Sequence, residues 1–252
     1  MSAGLSLVTL AQRPDVLQGV LALSSEWPKF MLQDPVALRH QSRLLELAEF
    51  MVALLDDEGG VVARGLSVPF VWDGEDASLS DRGWDAVLEQ AADDLDRGRA
   101  ATAVAALEIT IAQAHQGRGL TGQMIRGLID NARRLGFGDL VGPVRPVGKV
   151  AEPHTAMAVY AARTRPDGAP VDPWLRAHWR AGGRTVGVCT HSMRIPGSLA
   201  EWEDWTGVRF ESSGPHVVPG GLVPVMVDIA RDEAVYVEPN VWVHHRRGGE
   251  GA

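Results

Sequence analysis

The chain has a single cysteine, Cys189, among 252 residues. It can form no disulfide within itself and no cysteine-based zinc site, which fits a reducing compartment. Lysine is nearly as scarce: Lys29 and Lys149 stand alone, and arginine supplies the rest of the basic charge. With 24 basic against 32 acidic residues the formal net charge is −8. That argues against general nucleic-acid binding, yet leaves room for a local basic site for a phosphorylated cofactor. No apolar run approaches the ~20 residues of a membrane span. The opening MSAGLSLVTLAQRPD lacks the basic start and apolar core of a secretory signal. The expectation is a soluble, cytoplasmic protein with no membrane partner.

Hydrophobic residues make up 45% of the chain, and a chain of this length buries roughly 70–75% of its unfolded surface. Strand and helix signals alternate without an internal repeat or a low-complexity linker. This predicts one α/β domain of mixed sheet over residues 1–245, with a disordered tail at 246–252. Leu5 to Ala11 reads as a strand, then Asp15 to Leu23 and Pro35 to Leu47 as helices. Two apolar runs, Phe50 to Leu55 and Val61 to Val71, flank Asp56-Asp57-Glu58-Gly59-Gly60 and predict a hairpin. Ser78 with Asp81 predicts a capping box for a helix to Arg97. Ser198 with Glu201 predicts another, for a helix stopping at Gly207. Asp172-Pro173 opens a short helix over Trp174 to Trp179. Further strands are expected at Arg184 to Cys189, Leu222 to Ile229 and Ala234 to Val243.

The informative unit is a strand, Ala101 to Ala112, a Gly-rich turn, His115 to Gly122, and an amphipathic helix, Leu120 to Leu135, followed by a strand over Phe137 to Val144. The first N–H groups of a helix have no intrahelical partner and carry partial positive charge. Glycines let an anion approach them, so the turn is a candidate diphosphate cradle. A P-loop is excluded, because Gly142 to Gly148 has five intervening residues and Val150 follows Lys149. Gly117, Gly119 and Gly122 do match G-x-G-x-x-G, which keeps an NAD(P)-binding oxidoreductase as an alternative. However, Gln113 to Gln116 separate the strand from the first glycine, and Asp139 stands early in its strand instead of at its end. A tight connection with no ligand is also open.

Gln116-x-x-Gly119-x-Thr121 resembles the Q/R-x-x-G-x-G/A motif of the GNAT superfamily of acyl-CoA N-acyltransferases. Thr121 stands where that family has Gly or Ala, with Gly122 directly after it. The order of elements from Leu5 to Tyr160 is similar as well. From Arg163 onward, Asp172-Pro173-Trp174-Leu175-Arg176 and Glu238-Pro239-Asn240-Val241-Trp242 resemble a bacterial GNAT-like group without a defined substrate. The resemblance implies a GNAT-like mixed, twisted sheet flanked by helices and splayed after the fourth strand, near Ile111. It implies acetyl-CoA or another acyl-CoA as co-substrate. Gln116, Gly117, Arg118, Gly119, Leu120, Thr121 and Gly122 would hold the diphosphate, and Ile109, Thr110 and Ile111 the thioester arm. The implied reaction is acyl transfer, with acetyl the expected group, to a small-molecule acceptor, an amine first of all. An acyl carrier protein or an aminoacyl-tRNA as donor, a homodimer, and a non-catalytic acyl-CoA binding module stay open.

Such transfer needs a neutral nucleophile, hence a base or a desolvated pocket. Glu108 is the one charge in the apolar fourth strand, and Thr110 shares its face. A carboxyl group in apolar surroundings holds its proton to higher pH than a solvated one, which suits a base. Facing water or pairing with an arginine are the open alternatives. Tyr160, one of two tyrosines, follows Ala156 and Val159 with the spacing of the family helix that ends in an acid. Pro153 replaces the usual Asn at its start. Arg145 and Lys149 are placed to meet CoA phosphates or an anionic substrate, or simply a solvated loop. Cys189 and His191 share a strand face as a thiol–imidazole pair or as core and surface. His244 and His245 point to opposite faces, against a shared metal. The tryptophans of the C-terminal third are core residues or the wall of an apolar pocket.

Overall fold

A computed structural model describes residues 4–24 and 27–246. The expected tail lies outside them, apart from Arg246, which belongs to the last strand. Strands β1 (Ser6–Thr9), β2 (Met51–Leu55), β3 (Val61–Phe70) and β4 (Ala103–Ile111) pair antiparallel in sequence order. The β2–β3 turn is closed by Asp56, whose Oδ1 accepts the N–H groups of Glu58 and Gly60 at 3.0 and 2.7 Å. Strand β5 (Asp139–Val144) joins β4 in parallel. A parallel neighbour requires a crossover, supplied here by helix α4 (Leu120–Arg134).

The far half of the sheet is built on the chain's C-terminus. Strand β9 (Glu233–Arg246) pairs antiparallel with β5 and with β6 (Arg184–Gly197). Strands β8 (Val225–Asp228) and β7 (Gly214–His216) finish the edge. The helices are α1 (Leu17–Ala22), α2 (Pro35–Leu44), α3 (Gly83–Asp96), α5 (Met157–Ala161), α6 (Pro173–Arg180) and α7 (Leu199–Thr206).

Each face of the sheet carries its own core. On one side Trp84, Val87, Leu88 and Ala91 of α3 pack on Ala103, Ala105, Leu107 and Val141, in a cluster that also holds Trp202, Tyr236 and Trp242. On the other side Leu120, Met124, Ile125 and Leu128 of α4 cover Val52, Val104 and Leu140. Each fully buried side chain of this size contributes roughly 1.5–3 kcal/mol.

Three elements differ from the sequence reading. Helix α3 starts at Gly83, not Ser78, and has no side-chain cap. The Ser78 hydroxyl is instead engaged by Asp73 and by the indole N–H of Trp72, and Asp81 reaches across to Thr190. Strand β6 runs on to Gly197, because a register shift between Cys189 and Met193 lets pairing with β9 resume. Strand β7 had no signal. The capping boxes thus divide: at Ser198 both reciprocal bonds with Glu201 form, while at Ser78 neither does.

Candidate active site

The site begins as a fault in the sheet. β4 and β5 pair only through Val104 with Leu140 and Ala105 with Val141. The gap therefore opens at Ala106, five residues earlier than Ile111. At its base a Cβ on Gly142 would stand 3.3 Å from the Ala106 carbonyl oxygen, so glycine permits the close approach there. A β-bulge sits at the same level: Leu66 pairs with Glu108 and Ser67 with Ala106, leaving Leu107 as the extra residue. One inserted residue exchanges the faces of everything after it. Val104 and Ala106 face α4, and beyond the bulge Ile109 and Ile111 do so. Glu108 and Thr110 are turned to the opposite face.

The gap is a cavity of about 470 Å³ between Ala106–Ile111 of β4 and Gly142–Arg145 beside it. Its mouth is formed by the Gly-rich turn. Of the residues expected to hold a donor, Ile109, Thr110, Ile111, Gln116, Gly117, Gly119, Leu120 and Thr121 line it, whereas Arg118 and Gly122 do not. Gly117 and Gly119 have φ of +73° and +78°, a conformation that disfavours any side chain. The N-cap of α4 is Gly119, with no side-chain cap. Among the described residues no protein acceptor is paired with the N–H groups of Gly117 to Gly122. Of these residues Gly117, Gly119, Leu120 and Thr121 border the cavity, and their donors fit an anionic group such as a diphosphate.

On the other face Glu108 is nearly buried but not isolated. Its Oε1 accepts Nε and Nη2 of Arg64 at 2.9 and 2.8 Å, and also the Thr110 hydroxyl. Of the openings left by the sequence, pairing with an arginine is the one realised. Arg64 is itself anchored on the Val20 carbonyl at 2.8 Å. Glu108 Oε2 has no partner among the described residues. A second cavity, about 650 Å³, lies under α1 and α2, and the two cavities share Trp27, Leu107 and Glu108.

Tyr160 is not brought to the cavity, which corrects its assignment as the acid. It packs with Val144, Met157 and Leu175, and its hydroxyl donates to Asp172 Oδ2 at 3.1 Å. Burial and the Asp172 carboxylate push the phenol up to about 12. The position beside the cavity belongs to α6 instead, through Trp174 and His178. Sequence reasoning missed His178, although the i, i+4 spacing from Trp174 put both on one helix face. Its Nδ1 lies 2.9 Å from Nε2 of His245. Burial, then the neighbouring ring, hold His178 down at about 3, and burial foremost holds His245 at about 4. Both rings are neutral at physiological pH.

The other candidates resolve as structure. Burial pushes the Cys189 thiol up to about 12, and His191 faces Asp81 at 2.7 Å. Lys149 is fully buried, its Nζ bonded to the carbonyls of Glu152 and Leu222, so it meets no phosphate. Arg145 does line the cavity. Trp202 and Trp242 are core, while Trp174 and Trp27 are cavity wall. His244 is bonded to Asp76 and Asp139. The dinucleotide alternative fails on topology: β4 is antiparallel to β3 and parallel to β5 alone, not part of a doubly wound parallel sheet.

No protein-family model matches the sequence. An arginine N-acetyltransferase, avaD of Aspergillus versicolor, is 34% identical over 274 residues, covering 96% of this chain and 94% of that protein. The chain belongs to the GNAT superfamily of acyl-CoA N-acyltransferases. Solved GNAT folds agree. The loading GNATL domain of CurA from Lyngbya majuscula superposes with a TM-score of 0.57 at 14% identity, over 98% of each chain. The GphF GNAT-like decarboxylase in complex with isobutyryl-CoA gives 0.56 at 16% identity, over 96% of this chain and 98% of that one. This GNAT chain is an N-acyltransferase, and its mixed sheet splays after the fourth strand as the motif implied. No helix of the described residues is long and apolar enough to cross a membrane.

Proposed function

We propose that this enzyme transfers an acetyl group from acetyl-CoA to a nitrogen of a small, arginine-like acceptor. The observation that carries the reading is the cleft through the sheet, with unpaired main-chain donors at one mouth and Glu108 on the opposite face. Donor and acceptor can then meet at β4 from the two sides. The curated relative is named for arginine, which supports the acceptor class. The GphF structure holds a CoA thioester in a similar fold, which supports the donor. The single buried cysteine fits a cytoplasmic setting.

In the transfer the acceptor nitrogen attacks the thioester carbonyl carbon. The C–N bond forms and the C–S bond breaks; an amine that enters as its ammonium form gives up two protons, one before attack, released to solvent, and one after it, taken by the departing CoA sulfur. The N–H groups of Gly117 to Gly122 hold the diphosphate, each contact worth roughly 0.3–1 kcal/mol. An alkyl amine is overwhelmingly protonated at neutral pH, so Glu108 takes the first proton through its open Oε2, directly or through one water, and passes it to solvent. Arg64 and Thr110 fix that carboxylate by its other oxygen. On the α4 side His178, a neutral imidazole, offers an N–H to the developing negative charge, a role that requires no imidazolium. Alignment of the two reactants supplies much of the remaining acceleration.

The test is release of CoA thiol from acetyl-CoA in the presence of L-arginine, with the product analysed by mass. Acceptor-dependent release matched by acetylated product is expected. Binding of acetyl-CoA without turnover on any amine would leave a carrier-bound donor or a non-catalytic module in its place. Tight NADPH binding with no response to CoA would overturn the cofactor assignment.

A further inference from the structure

Across the gap from β4, on the β5 side, a second charged group lines the cavity. Arg145 follows β5, whose residues alternate between faces: Leu140 and Val144 toward α4, α5 and α6, Val141 toward α3. Arg145 therefore falls on the face of Glu108, away from the helix that would hold the diphosphate. Its guanidinium is held from behind. Nε donates to both oxygens of Glu238, at 3.0 and 3.1 Å, and Nη2 to the Gly220 carbonyl. Glu238 is wholly buried and satisfied in turn by the Tyr236 hydroxyl at 2.9 Å and Asn240 Nδ2 at 3.1 Å. Nη1 of Arg145 has no partner among the described residues and is not sealed from the cavity. Asn240 Oδ1 is left open in the same way.

A guanidinium locked by a buried carboxylate, with one donor edge aimed into a cleft, is built for a planar anion. The gap thus has a carboxylate on its β4 lip and a guanidinium on its β5 lip. We infer that Arg145 binds a carboxylate of the acceptor, making the enzyme selective for amino acids over the corresponding decarboxylated amines. This rests on the acyl-transfer reading above and adds the part of the acceptor that is recognised. Arg145 is a specificity residue: it holds the acceptor, and Glu108 takes the proton.

L-Arginine and agmatine differ by that carboxylate alone. The wild-type enzyme is expected to favour arginine over agmatine by about 10- to 100-fold in kcat/KM, the worth of a charge-assisted hydrogen bond. In R145Q the ratio falls to near one, and the arginine KM rises much more than the acetyl-CoA KM. Because R145Q strands the buried Glu238, the neutral pair R145Q/E238Q is measured beside it, each checked for a cooperative melt. Equal use of both amines by the wild type, or a ratio unchanged in a folded variant, overturns the inference and leaves the transferase reading intact. So does a rise in acetyl-CoA KM alone, which would assign Arg145 to the donor. A wild-type enzyme that acylates neither amine removes the arginine-like reading and this inference with it.

Discussion

Asp85→Asn tests a buried proton that joins α2 to α3. Asp34 caps α2, its Oδ1 accepting the N–H groups of Val36 and Ala37 at 2.9 and 2.8 Å. Asp85, in the first turn of α3, accepts the Arg194 N–H at 3.2 Å. Both side chains are buried, and Asp34 Oδ2 and Asp85 Oδ1 have no hydrogen-bonding partner among the described residues. Two adjacent carboxylates cannot both ionise cheaply. Burial pushes Asp34 up as well, but the N–H groups of Ala37 and Val36 at the helix N-terminus oppose that, so Asp34 is the easier of the two to ionise. Asp85 keeps the proton: burial, then the Asp34 charge, pushes it up to about 8, with Glu89 adding to the effect and Arg82 opposing it. A group that holds its proton more tightly when folded stabilises fully below its unfolded value of 3.8. That stability is lost as pH climbs through about 8. One such proton is worth about 1.4 kcal/mol between pH 7 and pH 9, or roughly 3–6 °C in Tm for a chain of this size. In D85N the amide donates permanently to Asp34, so that loss should vanish. Urea unfolding of both proteins at pH 6, 7, 8 and 9, at constant ionic strength, isolates the term, because other titrations cancel in the difference. A difference between the two proteins that stays flat across the range refutes the shared proton.

Other outcomes follow from the site. E108Q should lower kcat by about 10²–10⁴ with little change in acetyl-CoA KM, and a loss under threefold in steady-state kinetics would remove Glu108 as the base. Y160F should keep its kcat within about twofold and lose about 1 kcal/mol of stability with the Asp172 bond, read as a Tm drop of roughly 2–4 °C; a collapse of kcat would restore Tyr160 as the acid. G119A forces a side chain into left-handed backbone at a penalty of about 1–2 kcal/mol, so calorimetry should show acetyl-CoA binding weakened about tenfold, whereas unchanged affinity would mean that the turn does not hold the donor.

The strand, turn and helix from Ala103 to Arg134 were legible because each signal was local: an apolar run, glycines at a turn, and an apolar stripe of period 3.6. Glu108 was legible for a related reason, as the lone charge in that run. What escaped depended on partners distant in sequence. Arg64 lies 44 residues from Glu108, and nothing in either segment announces the pair. Ser78 had the spacing of a capping box, but Trp72 and Asp73 compete for its hydroxyl, and local spacing cannot weigh competitors. Tyr160 followed a family spacing, yet its burial was decided by Asp172 and by a Gly148 whose missing side chain admits the phenol: a Cβ there would lie 2.4 Å from the hydroxyl. His178 faces the cavity because α6 packs beside α4, a tertiary fact with no trace in a helix read alone.

The bulge at Leu107 connects fold to chemistry. Without it, strict alternation from Val104 would aim Glu108 and Thr110 at α4, into the apolar core with Leu128 and Ile129, where a carboxylate would have no partner and a large burial penalty. With it, Ile109 and Ile111 take those places and the carboxylate meets Arg64. The bend that accompanies a bulge also carries β4 away from β5, at the level where their pairing stops. Trp84 fixes this local distortion, its indole N–H donating to the Leu107 carbonyl at 3.0 Å. A single extra residue therefore sits where the cleft opens, keeps charge off the α4 face and delivers it to the opposite face, the one proposed above for the acceptor. The proposed separation of donor and acceptor by the sheet would then be built into the register of β3 against β4, not into any one side chain of the turn.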